Sequence, residues 1–493
     1  MPINRRQTLC ALNSTLGTAA IAPFAMPFAA RAADAPSAVD LKGDIAILRE
    51  ALSLHRGLHR YSTPAQIAAR IDLLERDWLA ASSLDARYLA LARFLATIRC
   101  GHSYPNFFNQ RKAVKADLFD RPTRLPFTFR WIDGRMIVLA DQSDIATLSP
   151  GTEVRAINGV PARAMLQRLI GYVRADGHND AKRTALLGVS GGDSIETFDV
   201  FHGLIYGAPA GGMHRLLIRK PDGRDASISM APISLAARQT KMPPQPDGDG
   251  PVWDWTMRPD GVALLTMPNW GLYNSKWNWR GWLDDWLSTL PGARGLIIDL
   301  RDNEGGEDCG DPILARLIDT PLSPPGYVQK LRFERTPPSI DRYLDTWDNS
   351  FRTMGVGGKP LADGFIERPG GKAILTIAPT VPRLTLPVAT LIGPTNSSAT
   401  FQFATMARAS GKVRLFGETT GGNRRGINGG AFFFARLPAT GLEFDLPLVG
   451  YFATTSQPDA GLEPDVRVAA RPADIAAGRD PVLERAVEWI GRG

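Results

Sequence analysis

The sequence predicts a multidomain α/β protein: a helical domain near the N-terminus, a smaller mixed module after it, and a core built on a mostly parallel sheet. Three observations carry this reading. At 493 residues the chain has room for about three domains. Residues 40–99 place apolar side chains at helical spacing. The second half alternates short apolar runs with helical patterns, the signature of strands joined by crossover helices. With 44% hydrophobic and 22% charged residues, neither wholesale disorder nor a multispanning membrane protein fits.

The first 32 residues read as an export signal to be removed. Arg5 and Arg6 precede an Ala/Leu/Ile-rich stretch too broken by Pro23 and Pro27 to span a bilayer, and Ala30-Arg31-Ala32 supplies a small-x-small cleavage pattern. The paired arginines point to the twin-arginine route, with an ordinary secretory signal as the alternative, since Thr8 stands where an aromatic is preferred. Either way the mature protein is expected to be periplasmic or secreted. Of the formal charge of +7, three units come from Arg5, Arg6 and Arg31. The remaining excess is too dilute for nucleic-acid binding. Apart from Cys10 in the signal, only Cys100 and Cys309 occur.

Three amphipathic helices are expected over residues 37–118: one through Ile45, Leu48 and Leu52, one through Ile67, Ile71, Leu74 and Trp78, and one through Tyr88, Leu91 and Leu95. Thr63 and Ser83 stand at N-cap positions. Residues 119–235 switch to period two. Phe127, Phe129 and Trp131 alternate up to Asp133-Gly134 and the chain returns through Met136, a hairpin signal. A second strand pair, 216–219 and 226–229, brackets Asp222-Gly223. Residues 236–251, with four prolines and two glycines, read as a linker. From 252 to 493, strands at 262–266, 295–300, 388–392 and 413–416 alternate with helices at 279–290, 311–318 and 400–409.

Two strand-to-helix turns stand out, Arg301-Asp302-Asn303-Glu304-Gly305-Gly306 and Pro394-Thr395-Asn396-Ser397-Ser398-Ala399. A hydroxyl at the start of a helix sits beside free backbone N–H groups, so Ser398 is either a helix cap or a nucleophile next to anion-stabilising donors. A serine nucleophile needs a base. Of six histidines (His55, His59, His102, His178, His202 and His214), His102 follows the end of a helix within Cys100-Gly101-His102-Ser103, a position from which a functional side chain projects. No Cys-x-x-Cys pair occurs, the histidines are scattered apart from the single His-x-x-x-His spacing of His55 and His59, and no cofactor motif is present, so no metal or cofactor is expected.

Taken together, Leu296 through Gly306, Ser398-Ala399, Gly417-Glu418-Thr419-Thr420-Gly421-Gly422 and Gly461-Leu462-Glu463-Pro464-Asp465 resemble, in order, the motifs of the tail-specific (carboxyl-terminal processing) serine proteases. Residues 151–160 resemble that family's PDZ-like module. His55 through Tyr61 and Gly101-His102-Ser103 are similar to the branch related to the tricorn core and the retinoid-binding-protein repeats. The resemblance implies a crotonase-like or ClpP-like spiral core, a peptide or protein substrate and no cofactor. The lysine of the family's Ser/Lys dyad is replaced by Asn423, followed by Arg424 and Arg425, which cannot act as bases. The tricorn-like branch instead implies His102 as base for Ser398, an oxyanion hole from the N–H groups of Ala399 and of Gly305 or Gly306, and Asp459 as the acid that orients the imidazole. Phe401 replaces the glutamate that often follows the family's Ser-Ala pair.

Two further expectations follow. If His102 and the Gly305-Gly306 loop both face Ser398, Cys100 and Cys309 should approach to disulfide range. Trp279, Trp282 and Trp286 fit one buried helical face, while Trp270, at a strand end beside Pro268 and Gly271, is expected to wall a substrate cleft. The expected activity is that of an exported serine peptidase. A binding protein without catalysis on the same scaffold, and an esterase, are the alternatives.

Overall fold

A computed structural model describes residues 36–145, 147–242, 250–290, 292–323, 326–370 and 376–492 of the chain. The expected signal segment and Cys10 lie outside the described residues, as does 243–249 of the expected linker. Among the described residues no helix is long and apolar enough to cross a membrane.

The N-terminal layer is three helices, Ala38–Ser53, Pro64–Ala80 and Leu84–Ala96. Ser37, Thr63 and Ser83 cap them, the first two as reciprocal capping boxes with Asp40 and Gln66. Their apolar stripes, Leu41, Ile45, Leu48 and Leu52 on the first and Ile67, Ile71, Leu74 and Trp78 on the second, enter one core.

Next comes an antiparallel sheet in the order Phe127–Ile132, Arg135–Asp141, Glu153–Ile157, His214–Arg219, Asp225–Met230, with Val160–Pro161 folded onto Glu153–Ile157. Asp133 and Gly134 both take positive φ (50° and 72°), as a two-residue hairpin with right-twisted strands requires. Helices Ala162–Leu169, Asp180–Leu186 and Thr197–Tyr206 are inserted before the fourth strand of this order. The expected linker is helical at its start, where Ser234 caps Leu235–Thr240.

The central sheet runs Val466–Arg467, Val413–Gly417, Val388–Ile392, Gly295–Asp299, Val262–Thr266, Asp254–Met257. Its pairings are parallel except the last. One face is covered by helices Trp279–Leu287, Asp311–Leu317 and Ser398–Ala409, the other by Pro481–Ile490. Leu391 lies opposite Asp299, so the strands Gly295–Asp299 and Val388–Ile392 end side by side and their following loops emerge together. Crevices at the carboxyl ends of such strands are where α/β proteins place ligands.

A third sheet was not expected: Leu344–Asp345, Asn428–Arg436, Glu443–Ala453, Tyr327–Leu331, Ile366–Glu367, all antiparallel. Residues 443–450 are buried without interruption, so this strand carries no alternation for a period-two reading to find. The sheet shares the core of the N-terminal helices, and buried Asp44 ties the two by accepting hydrogen bonds from the backbone N–H groups of Ala439 and Thr440.

Candidate active site

The two loops at the strand ends are locked together by two buried asparagines. Asn396 accepts from Gly393 N (2.7 Å) and donates to the carbonyls of Leu300 (2.5 Å) and Asn303 (3.0 Å). Asn303 donates to Met267 O and accepts from Gly305 N, and Thr400 Oγ1 donates to Asn303 O. This bracing holds Ser398, first residue of helix Ser398–Ala409, at φ +52°, a left-handed conformation that a non-glycine residue adopts only when its surroundings impose it. Ser398 is part-exposed and its hydroxyl bonds to no described residue. Ser397 is buried, donates to Glu304 O (3.1 Å) and receives Lys182 Nζ at 2.5 Å.

Ser398, Ala399, Gly305 and Gly306 line a cleft of about 2800 Å³, and His102 lines the same cleft from the helical layer. The Gly305 N–H is spent on Asn303 Oδ1, which removes it as an anion donor. The N–H groups of Gly306 and of Ala399, in the first helical turn, bond to no described residue. Glycine is required at 305. A Cβ there would stand 2.9 Å from Ser398 Cβ and 2.9 Å from Ala399 N, so the hydrogen atom keeps open the space beside both.

His102 follows the helix end through Arg99 (φ +59°) and Gly101. Arg174 donates to Gly101 O and to Glu304 Oε2, both at 2.8 Å, and its guanidinium lies 4.5 Å over the Tyr104 ring. Burial pushes His102 down to about 4, with Lys182 and Arg174 adding to the fall and Asp176 and Glu304 opposing it. Burial opposes the charge of Glu304 too, yet Arg174 and Lys182 prevail and hold its carboxyl at about 2. Lys182, from helix Asp180–Leu186, is fully buried and its pKa is lowered by that burial.

Four expectations meet a different arrangement. Asp459 does not reach His102: its carboxylate takes His178 Nδ1 at 2.5 Å and Asn423 Nδ2 at 2.7 Å. Burial acts against its charge, but the bonds from His178 and Asn423 lower its pKa on balance. Trp270 is fully buried against Phe403 (ring centroids 5.7 Å apart), so its indole is core and not cleft wall. Its carbonyl accepts from Glu307 N at 2.8 Å and thereby sets the Gly306 loop. Cys100 and Cys309 are free thiols in separate apolar cores, Cys100 under the helical layer and Cys309 beneath the central sheet's helices. Gly305, as stated, has no N–H to offer. Trp279 and Trp286 are buried, in keeping with the core role expected of them.

His55 and His202 serve the interior. His55 accepts from Gly57 N and meets Ser103 Oγ at 2.7 Å, while His202 stacks on Phe198. The sequence reading missed Arg174, Asp176 and Lys182, which lie between 173 and 186 and reach the site only by tertiary approach. A polar helix capped by Asn179 was their one local trace. Cys100, His102 and Asp176 bring donor atoms within 4.8 Å of one another and are the one donor set among the described residues close enough to hold a cation.

Residues 261–468 match the profile of peptidase family S41. No curated protein matches the chain. Among solved structures, mature CPAF complexed with lactacystin superposes with a TM-score of 0.61 at 16% identity, covering 92% of this chain and 97% of that one. Mature CPAF gives 0.58 at 15% identity over 92% and 96%. These likenesses show a shared fold. The photosystem II D1 C-terminal processing protease matches at 0.38 and 12% identity over 88% and 93%.

Proposed function

Because residues 261–468 belong to peptidase family S41, whose members are serine peptidases, we propose that this chain hydrolyses peptide bonds with Ser398 as nucleophile and His102 as base. The observation that carries the assignment to Ser398 is its strained, part-exposed position on the cleft that His102 lines, beside the uncommitted N–H groups of Ala399 and Gly306. Ser398 Oγ attacks the carbonyl carbon as its proton passes to His102, and the oxyanion forms against those two N–H groups. The C–N bond then breaks as His102 returns the proton to the leaving amine. Water repeats the sequence on the acyl-enzyme. A histidine kept neutral by burial suits the base role.

We read residues 37–118 as the helical domain bearing the base, 119–235 as a PDZ-like module that binds an extended peptide by strand addition, and 252–493 as the tail-specific protease core, exported after loss of 1–32. A second reading, a Ser397/Lys182 dyad, is favoured by their 2.5 Å contact. It is weakened by the burial of Ser397 and by the bond its hydroxyl makes to Glu304 O.

Fluorophosphonate labelling followed by peptide mapping tests the proposal. An adduct on Ser398, absent in Ser398→Ala and slowed in His102→Ala, is expected. An adduct on Ser397 supports the dyad, and no adduct points to a binding protein. Parallel peptide and ester screens separate peptidase from esterase.

A further inference from the structure

We propose that Asp176, a residue outside the family profile, is the positioning carboxylate of His102, in place of Asp459; the inference rests on the Ser398/His102 reading above. Asp176 is 2% exposed. Its Oδ1 accepts the Gly101 N–H at 2.8 Å, fixing the carboxylate to the residue that precedes His102. Its Oδ2 is buried with no partner, and so is Nδ1 of His102. With Cys100 these side chains bring donor atoms within 4.8 Å of each other. Leaving a buried donor and a buried acceptor both unpaired is costly, so the two atoms have reason to share the Nδ1 proton. Catalytic hydrogen bonds that are long in the resting enzyme tighten on the reaction path. The Nδ1–H tautomer leaves Nε2 unprotonated for the cleft, as a base requires.

The surroundings hold Asp176 for this task. A Cβ at Gly101 would fall 2.6 Å from Asp176 Oδ2, so glycine there admits the carboxylate. Arg183 donates to the carbonyls of Val173, Ala175 and Gly177, and Gly177 N donates to Arg99 O at 2.9 Å, clamping the segment on both sides of Asp176. Asp459 is committed elsewhere, to His178 and Asn423. The charged and titratable groups bearing on the His102 ring are Asp176, Glu304, Arg174, Lys182 and Cys100. Removing the acid nearest the ring therefore acts on its protonation in a known direction.

The test compares the mature full-length enzyme with Asp176→Asn, Asp459→Asn and Gly101→Ala, in peptide kcat/KM and fluorophosphonate labelling rate from pH 3.5 to 8. Asp176→Asn should lose about 10³–10⁴-fold at neutral pH, as expected when an orienting carboxylate is replaced by an amide. Its acid limb should shift to lower pH, because the imidazolium has lost its carboxylate. Gly101→Ala, which displaces the carboxylate without removing it, should move the limb the same way, and Asp459→Asn should stay within tenfold with the limb unmoved. Asp176→Asn matching the parent enzyme, or Asp459→Asn falling further than Asp176→Asn, overturns the inference. A rate loss without movement of the limb in either Asp176→Asn or Gly101→Ala marks a structural role and also overturns it. Failure of the parent enzyme to label at Ser398 would instead remove the proposal beneath it.

Discussion

Two clusters of one acid and two cations occupy different regions of the molecule. In the sheet module, Asp199 meets Arg238 at 3.1 Å and Arg124 at 3.7 Å, with all three side chains no more than 2% exposed. In the cleft, Glu304 meets Arg174 at 2.8 Å and Lys182 at 3.9 Å, with Glu304 itself 36% exposed. The first cluster is closed: Arg238 and Arg124 direct their other N–H groups at Gln142 and at main-chain carbonyls. The second is open. Lys182 reaches onward to Ser397, beside the proposed nucleophile Ser398, and Arg174 to the carbonyl of Gly101, beside the proposed base His102. Identical charge arithmetic thus serves cohesion in one place and alignment in the other, and what decides is where the leftover donors land.

Neutralising each acid should separate the two roles. Asp199→Asn strands two buried guanidinium groups and is expected to cost about 3–5 kcal/mol in urea unfolding, while kcat/KM per folded molecule stays within about twofold. Glu304→Gln should cost less stability, because its side chain meets water, yet lower kcat/KM more than tenfold through misaligned Ser397 and His102. Equal activity losses in the two variants would erase the distinction.

Acid should strike the open cluster next. Burial pushes folded His102 down to about 4, and in the proposed mechanism the neutral ring is the base, so kcat/KM should be level from pH 7 to about 5 and fall about tenfold per unit below 4. The same shift bears on stability. From about pH 6.5 downward the unfolded chain takes up a proton that the folded site refuses until about 4, so this histidine subtracts stability across that window. A limb near 6.5 would show that the ring is solvated.

Lys182→Met sharpens the comparison on a smaller scale. Losing the bond to Ser397 should reduce kcat/KM about two- to tenfold. Removing a cation that depresses His102 should raise the acid limb, opposite to Asp176→Asn. The smallest effect belongs to Trp270→Phe, expected to lower stability by about 0.5–3 kcal/mol without changing KM, since the indole faces Phe403 and not the cleft. A raised KM would return Trp270 to the substrate.

Much of the scaffold was legible because its signals are local. Ser37, Thr63 and Ser83 announce helix starts, and Ile297, Ile298 and Leu391 read as buried strands without reference to anything distant. The turns bearing Ser398 and Gly306 were visible for the same reason, as polar and glycine-rich breaks after apolar runs. Asp176 and Lys182 were not, because nothing near them in sequence signals chemistry; their role comes from the packing of residues 173–186 against the turn 393–397. Asp459 was placed by the family resemblance, which carries no information on the His178 and Asn423 that take its carboxylate in this fold. Trp270 was misread because a residue flanked by turn formers at a strand end still points inward when the chain stays in register. Here it bridges to Gly306 in parallel.

On the role proposed for Ser398, its left-handed turn narrows which nucleophiles this position can carry. A cysteine, with one heavy atom on its Cβ, fits the same torsion. Threonine does not, because a second branch at positive φ collides with its own backbone. Evolution from this starting point can trade oxygen for sulfur, but it cannot add a methyl group.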